Sequence, residues 1–307
     1  MIRVAAVDLG TNSTRLLVAD VDAGRVEEVE RRLTITRLGE GVDRRRTLLP
    51  TAVTRVRNAL VDYRGAAERL GAERVLAIAT SAVRDADNGE AFLGEIEWSY
   101  GFTTRLLDGD EEALMTFRGV AAGREVADAT LVVDVGGGST ELIVGASGSV
   151  AFHRSLDLGC VRLTERFGDD LDACATQVRA ALPDLSVERA IGVAGTVTAL
   201  AALDLGLVEY DPARVHGHRL PREGVAGQLA RLAALPLDER RRLPGLEPER
   251  APVIVAGAVI LLEVLARYGL EEIEASERDI LDGAALVAAD LPEPMEGAAP
   301  PGAFTCC

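Results

Sequence analysis

Lysine is missing from this chain: all 33 basic residues are arginine, set against 49 aspartates and glutamates, for a formal charge of −16. A duplex nucleic-acid binder needs a broad basic face to release counterions, and this balance opposes one. An anionic small molecule stays open, bound through local focusing by backbone amides, chosen arginines or a metal ion. Cysteine is scarce as well. Cys160, Cys174, Cys306 and Cys307 form no C-x-x-C pair and no zinc spacing. No secretory leader opens the sequence, so the expected compartment is the reducing cytoplasm. The longest apolar run, over 253–262, is too short to span a bilayer and is followed by Glu263, so no membrane partner is expected. A terminal Cys-Cys is a prenylation signal in other settings. Here it ends a Pro/Gly/Ala stretch with no polybasic partner, and 292–307 reads as a disordered tail.

What is present has the balance of a soluble globular protein, 48% hydrophobic and 27% charged over 307 residues. At roughly 150 residues per domain that length suggests two domains. The organisation comes from an internal repeat. Residues 4–18 read V-A-A-V-D-L-G-T-N-S-T-R-L-L-V and residues 130–144 read T-L-V-V-D-V-G-G-G-S-T-E-L-I-V. At an offset of 126 residues, Asp8, Gly10, Ser13, Thr14, Leu16 and Val18 recur as Asp134, Gly136, Ser139, Thr140, Leu142 and Val144. Each copy is an apolar β-prone run, a short Gly/Ser/Thr loop and a second apolar run, the pattern of a β-hairpin.

A second echo follows in the same order: E-R-V-L-A-I-A-T-S-A-V at 73–83 and E-R-A-I-G-V-A-G-T-V-T at 188–198. Both read as a buried strand running into a helix N-terminus, at Thr80-Ser81 and at Gly195-Thr196, where free amides favour an anion. Residues 51–70 form an expected helix with Val53, Val56, Leu60 and Val61 inward. A second spans 109–122 with Leu114, Phe117 and Val120 inward, and a third, apolar one spans 251–268. Residues 236–250 read as a loop. The expected fold class is α/β, with two duplicated lobes, 1–122 and 123–291, and a cleft between them.

Two matched loops shift each from a plain tight turn toward a phosphate cradle. Gly10, Thr11, Asn12 and Ser13 in the first, and Gly136, Gly137, Gly138, Ser139 and Thr140 in the second, offer amides and short hydroxyls to an anion. The leading Asp8 and Asp134 cannot favour phosphate directly. They make sense as ligands of a magnesium ion, which takes few carboxylates plus phosphate oxygens. The acidic run Asp110, Glu111 and Glu112 reads by itself as a helix cap. His216 and His218 have metal-like spacing but no supporting ligands, and Cys160 has no partner that would make it a nucleophile. Arg15, Arg31, Arg32 and the run Arg44 to Arg46 fit either charges along a long polyphosphate tail or solvated faces, and neither is assigned.

The pairing of D-L-G-T-N-S (8–13) with D-V-G-G-G-S-T-E (134–141) resembles the exopolyphosphatase / guanosine pentaphosphate phosphohydrolase family, a branch of the actin–Hsp70–sugar kinase superfold. R-L-G-E-G-V-D (37–43), A-T-S-A-V-R-D-A (79–86), D-G-D-E-E-A (108–113), L-G-C-V-R (158–162) and G-V-A-G-T-V-T (192–198) follow in family order. Together they cover most of 1–290, as in the family's short members without the helical C-terminal region. The resemblance implies two actin-like, ribonuclease H-like lobes and an exopolyphosphatase. It makes Glu112, 22 residues before Asp134, the base on water, with Glu141 in the active cleft and Arg84 on phosphate. A base beside a polyanion gains basicity from like-charge repulsion. The implied cofactor is Mg²⁺, with Mn²⁺ as substitute. The implied partners are inorganic polyphosphate and guanosine penta- or tetraphosphate, and a homodimer is allowed. The rivals are an ATPase or kinase of the same superfold and an alarmone sensor without turnover.

Overall fold

The computed structural model describes residues 1–127, 129–146 and 149–292. The chain divides into two compact units, one made of Met1–Arg124 with the stretch from Ile280 onward, the other of Glu125–Asp279.

The first unit is built on a sheet of β1 (Ile2–Leu9), β2 (Ser13–Asp22), β3 (Arg25–Ile35), β4 (Arg74–Ala79) and β5 (Thr103–Leu106), in the order β3-β2-β1-β4-β5. The first three strands form an antiparallel meander, and β4 and β5 run parallel to β1. Strand alternation sends Ala5, Val7 and Leu9 into a core with Val56, Leu60 and Ile96, from helices Pro50–Leu70 and Gly89–Tyr100. Val4 and Ala6 enter a second core on the opposite face with Met115, Leu281 and Ala284. Because both faces are covered, β1 is apolar without alternation from Val4 to Val7, and the buried charge that follows, Asp8, stands out.

The second unit repeats this plan with β6 (Thr130–Val135), β7 (Thr140–Ala146), β8 (Ser149–Leu156), β9 (Arg189–Val193), β10 (Arg219–Pro221) and β11 (Glu272–Ala275). Their order is β10-β11-β9-β6-β7-β8. Taken from β8 to β11, the sequence of neighbours and directions matches β3 to β5 of the first unit, and β10 adds an antiparallel edge. The chain is thus an α/β protein of two duplicated lobes with the ribonuclease H-like sheet order of actin-like proteins, as expected.

Details of the sequence reading shift. The division falls between Arg124 and Glu125, but the last helix, Ile280–Ala289, leaves the expected 123–291 lobe and packs in the first unit on helix Gly109–Ala121 and β1. Val61 and Leu114, expected inward, are 62% and 40% exposed, because Ala59, Tyr63, Ala113 and Met115 take the core positions. The stretch 236–250 contains a short helix, Leu237–Arg240. Of the expected tail, 293–307 lies outside the described residues, and Cys306 and Cys307 with it.

Gly283 is where the last helix meets Gly109–Ala121: a Cβ there would fall on the Met115 carbonyl oxygen. Gly283→Ala is expected to lower stability by about 1–3 kcal/mol, since backbone overlap outweighs the gain in helix propensity. A reduced urea midpoint at unchanged m-value is the outcome to look for; an unchanged or higher midpoint would contradict the close packing.

Candidate functional site

In the first unit, β1 and β2 are joined by a two-residue hairpin loop, Thr11-Asn12, closed by Gly10 N–H donating to Ser13 O at 3.0 Å. The segment after β3 returns behind this turn. Gly39 N–H donates to Thr11 O at 2.8 Å, and Thr36 and Arg37 N–H both donate to Asn12 O at 3.1 and 2.9 Å. A Cβ on Gly39 would fall on the Thr11 methyl, so only glycine allows this approach. The Thr11 hydroxyl shares a 2.9 Å hydrogen bond with Ser81, tying the turn to the short helix Ser81–Arg84.

The second unit copies the arrangement. Gly137-Gly138 is a two-residue loop, closed by Gly136 N–H to Ser139 O at 3.0 Å. The segment after β8 backs it: Cys160 N–H donates to Gly136 O at 2.9 Å, and Val161 and Arg162 N–H to Gly137 O at 2.9 and 3.2 Å. Arg162 Nε donates to Gly138 O at 2.8 Å. Gly159 has the role of Gly39, since a Cβ there would fall on the Gly137 carbonyl. The Thr140 hydroxyl, expected on phosphate, is fully buried and donates to Leu158 O, just as Thr14 bonds Thr36 at 2.9 Å in the first unit.

Register exposes an asymmetry between the copies. Asp8 lies opposite Arg15 on β2, and Asp134 lies opposite Glu141 on β7, positions that the 126-residue offset makes equivalent. Asp8 accepts from Arg15 Nε at 2.9 Å and Nη2 at 2.8 Å, a pair whose side chains are only 6% and 15% exposed. Asp134 and Glu141 instead place two buried carboxylates on one face, with Ser155 Oγ donating to Glu141 Oε1 at 2.7 Å. Glu141 is 1% exposed.

No group of three or more His, Cys, Asp or Glu side chains among the described residues forms a metal cage. Two carboxylates at opposed register positions fit a hard divalent ion that takes its other ligands from phosphate and water. Asp8, the other expected ligand, already has Arg15 at one oxygen.

The acidic run at the start of helix Gly109–Ala121 divides its labour. Asp108 caps the helix, accepting from Asp110 and Glu111 N–H at 2.9 and 2.8 Å, and Glu111 reaches back to Asp108 N–H at 3.0 Å. Glu112 takes no part in that box. It turns inward, 6% exposed, and Arg84 Nη1 approaches its Oε2 at 3.3 Å while donating to Leu107 O at 2.6 Å. Arg84 is thus paired with Glu112. A path of contacts, Thr11 to Ser81 and Arg84 to Glu112, links the first turn to the buried acid.

At the second expected anion turn, the Arg250 guanidinium fills the space over Gly195. Burial pushes the Cys160 thiol up, which keeps it unreactive. His218 bonds Asp204 at 2.8 Å and His216 accepts from Glu277 N–H at 3.2 Å, structural roles as expected. Sequence reasoning missed Gly39, Gly159 and Arg162. The signal was there in the twinned L-G of R-L-G-E-G and L-G-C-V-R, each 27 or 21 residues past its turn's second glycine-loop position, but no local rule says that such a segment doubles back.

Each unit thus presents a tightly backed hairpin loop, and the first adds a buried carboxylate–guanidinium pair. The Ppx/GppA phosphatase family model matches residues 17–287, and the chain belongs to that family. It is accordingly a phosphate-bond hydrolase. It is similar to Exopolyphosphatase 2 of Mycobacterium tuberculosis, 39% identical over 92% of this chain and 98% of the relative. It is also similar to the guanosine-5′-triphosphate,3′-diphosphate pyrophosphatase of Photobacterium profundum, 31% identical over 87% of this chain and 55% of that one. The solved structure of the Aquifex aeolicus PPX-GPPA enzyme superposes with a TM-score of 0.79 at 30% identity, covering 94% of this chain and 99% of that one. No helix among the described residues is long and apolar enough to cross a membrane.

Arg15→Met should strand a buried carboxylate and cost about 3 kcal/mol in denaturant unfolding. Adding Asp8→Asn should recover part of that loss. A double variant no more stable than Arg15→Met alone would contradict the pairing.

Proposed function

We propose that this chain is an exopolyphosphatase, which releases the terminal phosphate of inorganic polyphosphate and accepts guanosine pentaphosphate as a second substrate. The observation that carries this reading is Glu112: an acid excused from capping its own helix, 6% exposed and held by Arg84, in a chain similar over nearly its whole length to an exopolyphosphatase. The similarity to a guanosine-5′-triphosphate,3′-diphosphate pyrophosphatase supports the second substrate.

In the proposed reaction a water oxygen attacks the terminal phosphorus in line with the bridging oxygen. Glu112 orients the water and takes its proton, while the phosphorus–bridging oxygen bond breaks and the shortened chain leaves with that electron pair. Arg84 faces both the base and the phosphoryl oxygens, so its charge holds Glu112 in place and offsets charge on the substrate. Peptide N–H groups of 11–13 and of 137–139 are the donors for phosphate oxygens, preorganised before substrate arrives. Mg²⁺, or Mn²⁺ in its place, would be held by Asp134 and Glu141 and would neutralise phosphate oxygens. The scarcity of cysteine supports a reaction in the reducing cytoplasm.

The test is phosphate release from polyphosphate, guanosine pentaphosphate and ATP, with and without a divalent-ion chelator. Release from polyphosphate, lost on chelation and restored by Mg²⁺, is expected; release from ATP alone would favour an ATPase. Glu112→Gln should lower kcat by about 10²–10⁴-fold with KM changed little. A variant that keeps its turnover would remove Glu112 from the role of base, and wild-type ligand binding without turnover would favour a sensor.

A further inference from the structure

The motif L-G-C-V-R at 158–162 has no role in the reaction above, and its geometry supplies one. A trans peptide is planar, so its C=O and the N–H of the next residue point in opposite directions. There are no cis peptides among the described residues. The carbonyls of Gly136, Gly137 and Gly138 are three in a row, and all three are taken by this one segment: by Cys160 N–H at 2.9 Å, by Val161 and Arg162 N–H at 2.9 and 3.2 Å, and by Arg162 Nε at 2.8 Å. With the oxygens drawn to one side, the N–H groups of Gly137, Gly138 and Ser139 are aimed to the other. The phosphate-donor array is therefore set from behind.

The first unit does the same with backbone donors alone, Gly39 N–H on Thr11 O and Thr36 and Arg37 N–H on Asn12 O. In the second unit the last tether is a side chain. Arg162 is 12% exposed, and its Nη2 lies 4.0 Å from Asp157 Oδ1. Its Nε bond settles the direction of the Gly138–Ser139 peptide.

We propose that Arg162 is a positioning residue for the phosphate turn: it acts through the Gly138 carbonyl to aim the Ser139 N–H, and not through its charge on the substrate. The inference rests on the proposed phosphate chemistry of 136–139. Glutamine makes it testable, because its Nε2 sits the same number of bonds from the backbone as arginine Nε and donates without a charge. Methionine matches the length and donates nothing.

The experiment is titration of ¹⁵N-labelled protein with inorganic phosphate, following the Gly137, Gly138 and Ser139 amides, beside kcat and KM on polyphosphate. Arg162→Gln should keep the phosphate-induced amide shifts and stay within about threefold of wild-type kcat. Arg162→Met should lose the Ser139 shift and drop kcat by about tenfold or more, at a thermal midpoint close to that of Arg162→Gln; the tenfold step corresponds to about 1.4 kcal/mol. Equal losses in the two variants would overturn the proposal by pointing to the charge, and equal retention would overturn it by removing the tether. Should Arg162→Met not fold, Arg162→Gln decides alone: a folded glutamine variant tenfold down in kcat with altered Ser139 shifts refutes the idea. If wild type leaves polyphosphate intact yet the amide pattern follows these expectations, the assigned substrate fails and the role of Arg162 stands.

Discussion

Peptide planarity is the constraint on which the backed hairpin turns of both units depend. A hairpin loop of two residues carries both donors and acceptors, and an anion is repelled by the acceptors as much as it is held by the donors. The chain resolves this by sending a later segment behind each turn to engage the carbonyls. In the first unit Thr36, Arg37 and Gly39 do so for Thr11 and Asn12; in the second, Cys160, Val161 and Arg162 do so for Gly136 to Gly138. Gly39 and Gly159 are the contact points, and a methyl group at either would separate the two layers. The glycines that matter most here stand outside the loops they serve.

The charged residues around the turns are held with comparable economy. Asp8 is matched by Arg15 across one rung of the sheet, while the equivalent rung in the second unit sets Asp134 against Glu141. Duplication supplied the scaffold, and a single position, arginine in one copy and glutamate in the other, made the two turns electrostatically different. Glu112 is likewise freed by its neighbours: Asp108 and Glu111 complete the helix cap, and Arg84 stands at its carboxylate. The helix that carries it is braced from outside the first 124 residues, where Gly283 lets the Ile280–Ala289 helix meet the Met115 backbone.

The duplicated plan was legible in the sequence because it is local: two apolar runs around D-x-G-x-x-S-T specify a hairpin wherever they occur, and two copies specify two lobes. The Asp8–Arg15 and Asp134–Glu141 pairings follow from the same hairpin register once the loop is known to be two residues long. Other features were not local and stayed hidden. Nothing in I-L-D-G-A-A-L-V-A-A says that it packs on β1 and the Glu112 helix, since its apolar surface would suit either lobe. Helical periodicity chose Leu114 and Val61 as core, but helix Gly109–Ala121 turns Met115 inward and helix Pro50–Leu70 turns Tyr63 inward. The backing role of Arg162 needs a contact 24 residues away in the chain, which spacing alone cannot supply.

The central claim concerns direction, so the most direct measurement is a crystal structure of the protein with inorganic phosphate bound. The account predicts phosphate oxygens within hydrogen-bond distance of the Gly138 and Ser139 nitrogens, on the face of the turn away from Arg162, with the Gly138 carbonyl still bonded to Arg162 Nε. A turn whose Gly138–Ser139 peptide is reversed, or a phosphate seated on the Arg162 guanidinium with those amides turned from it, would contradict the account.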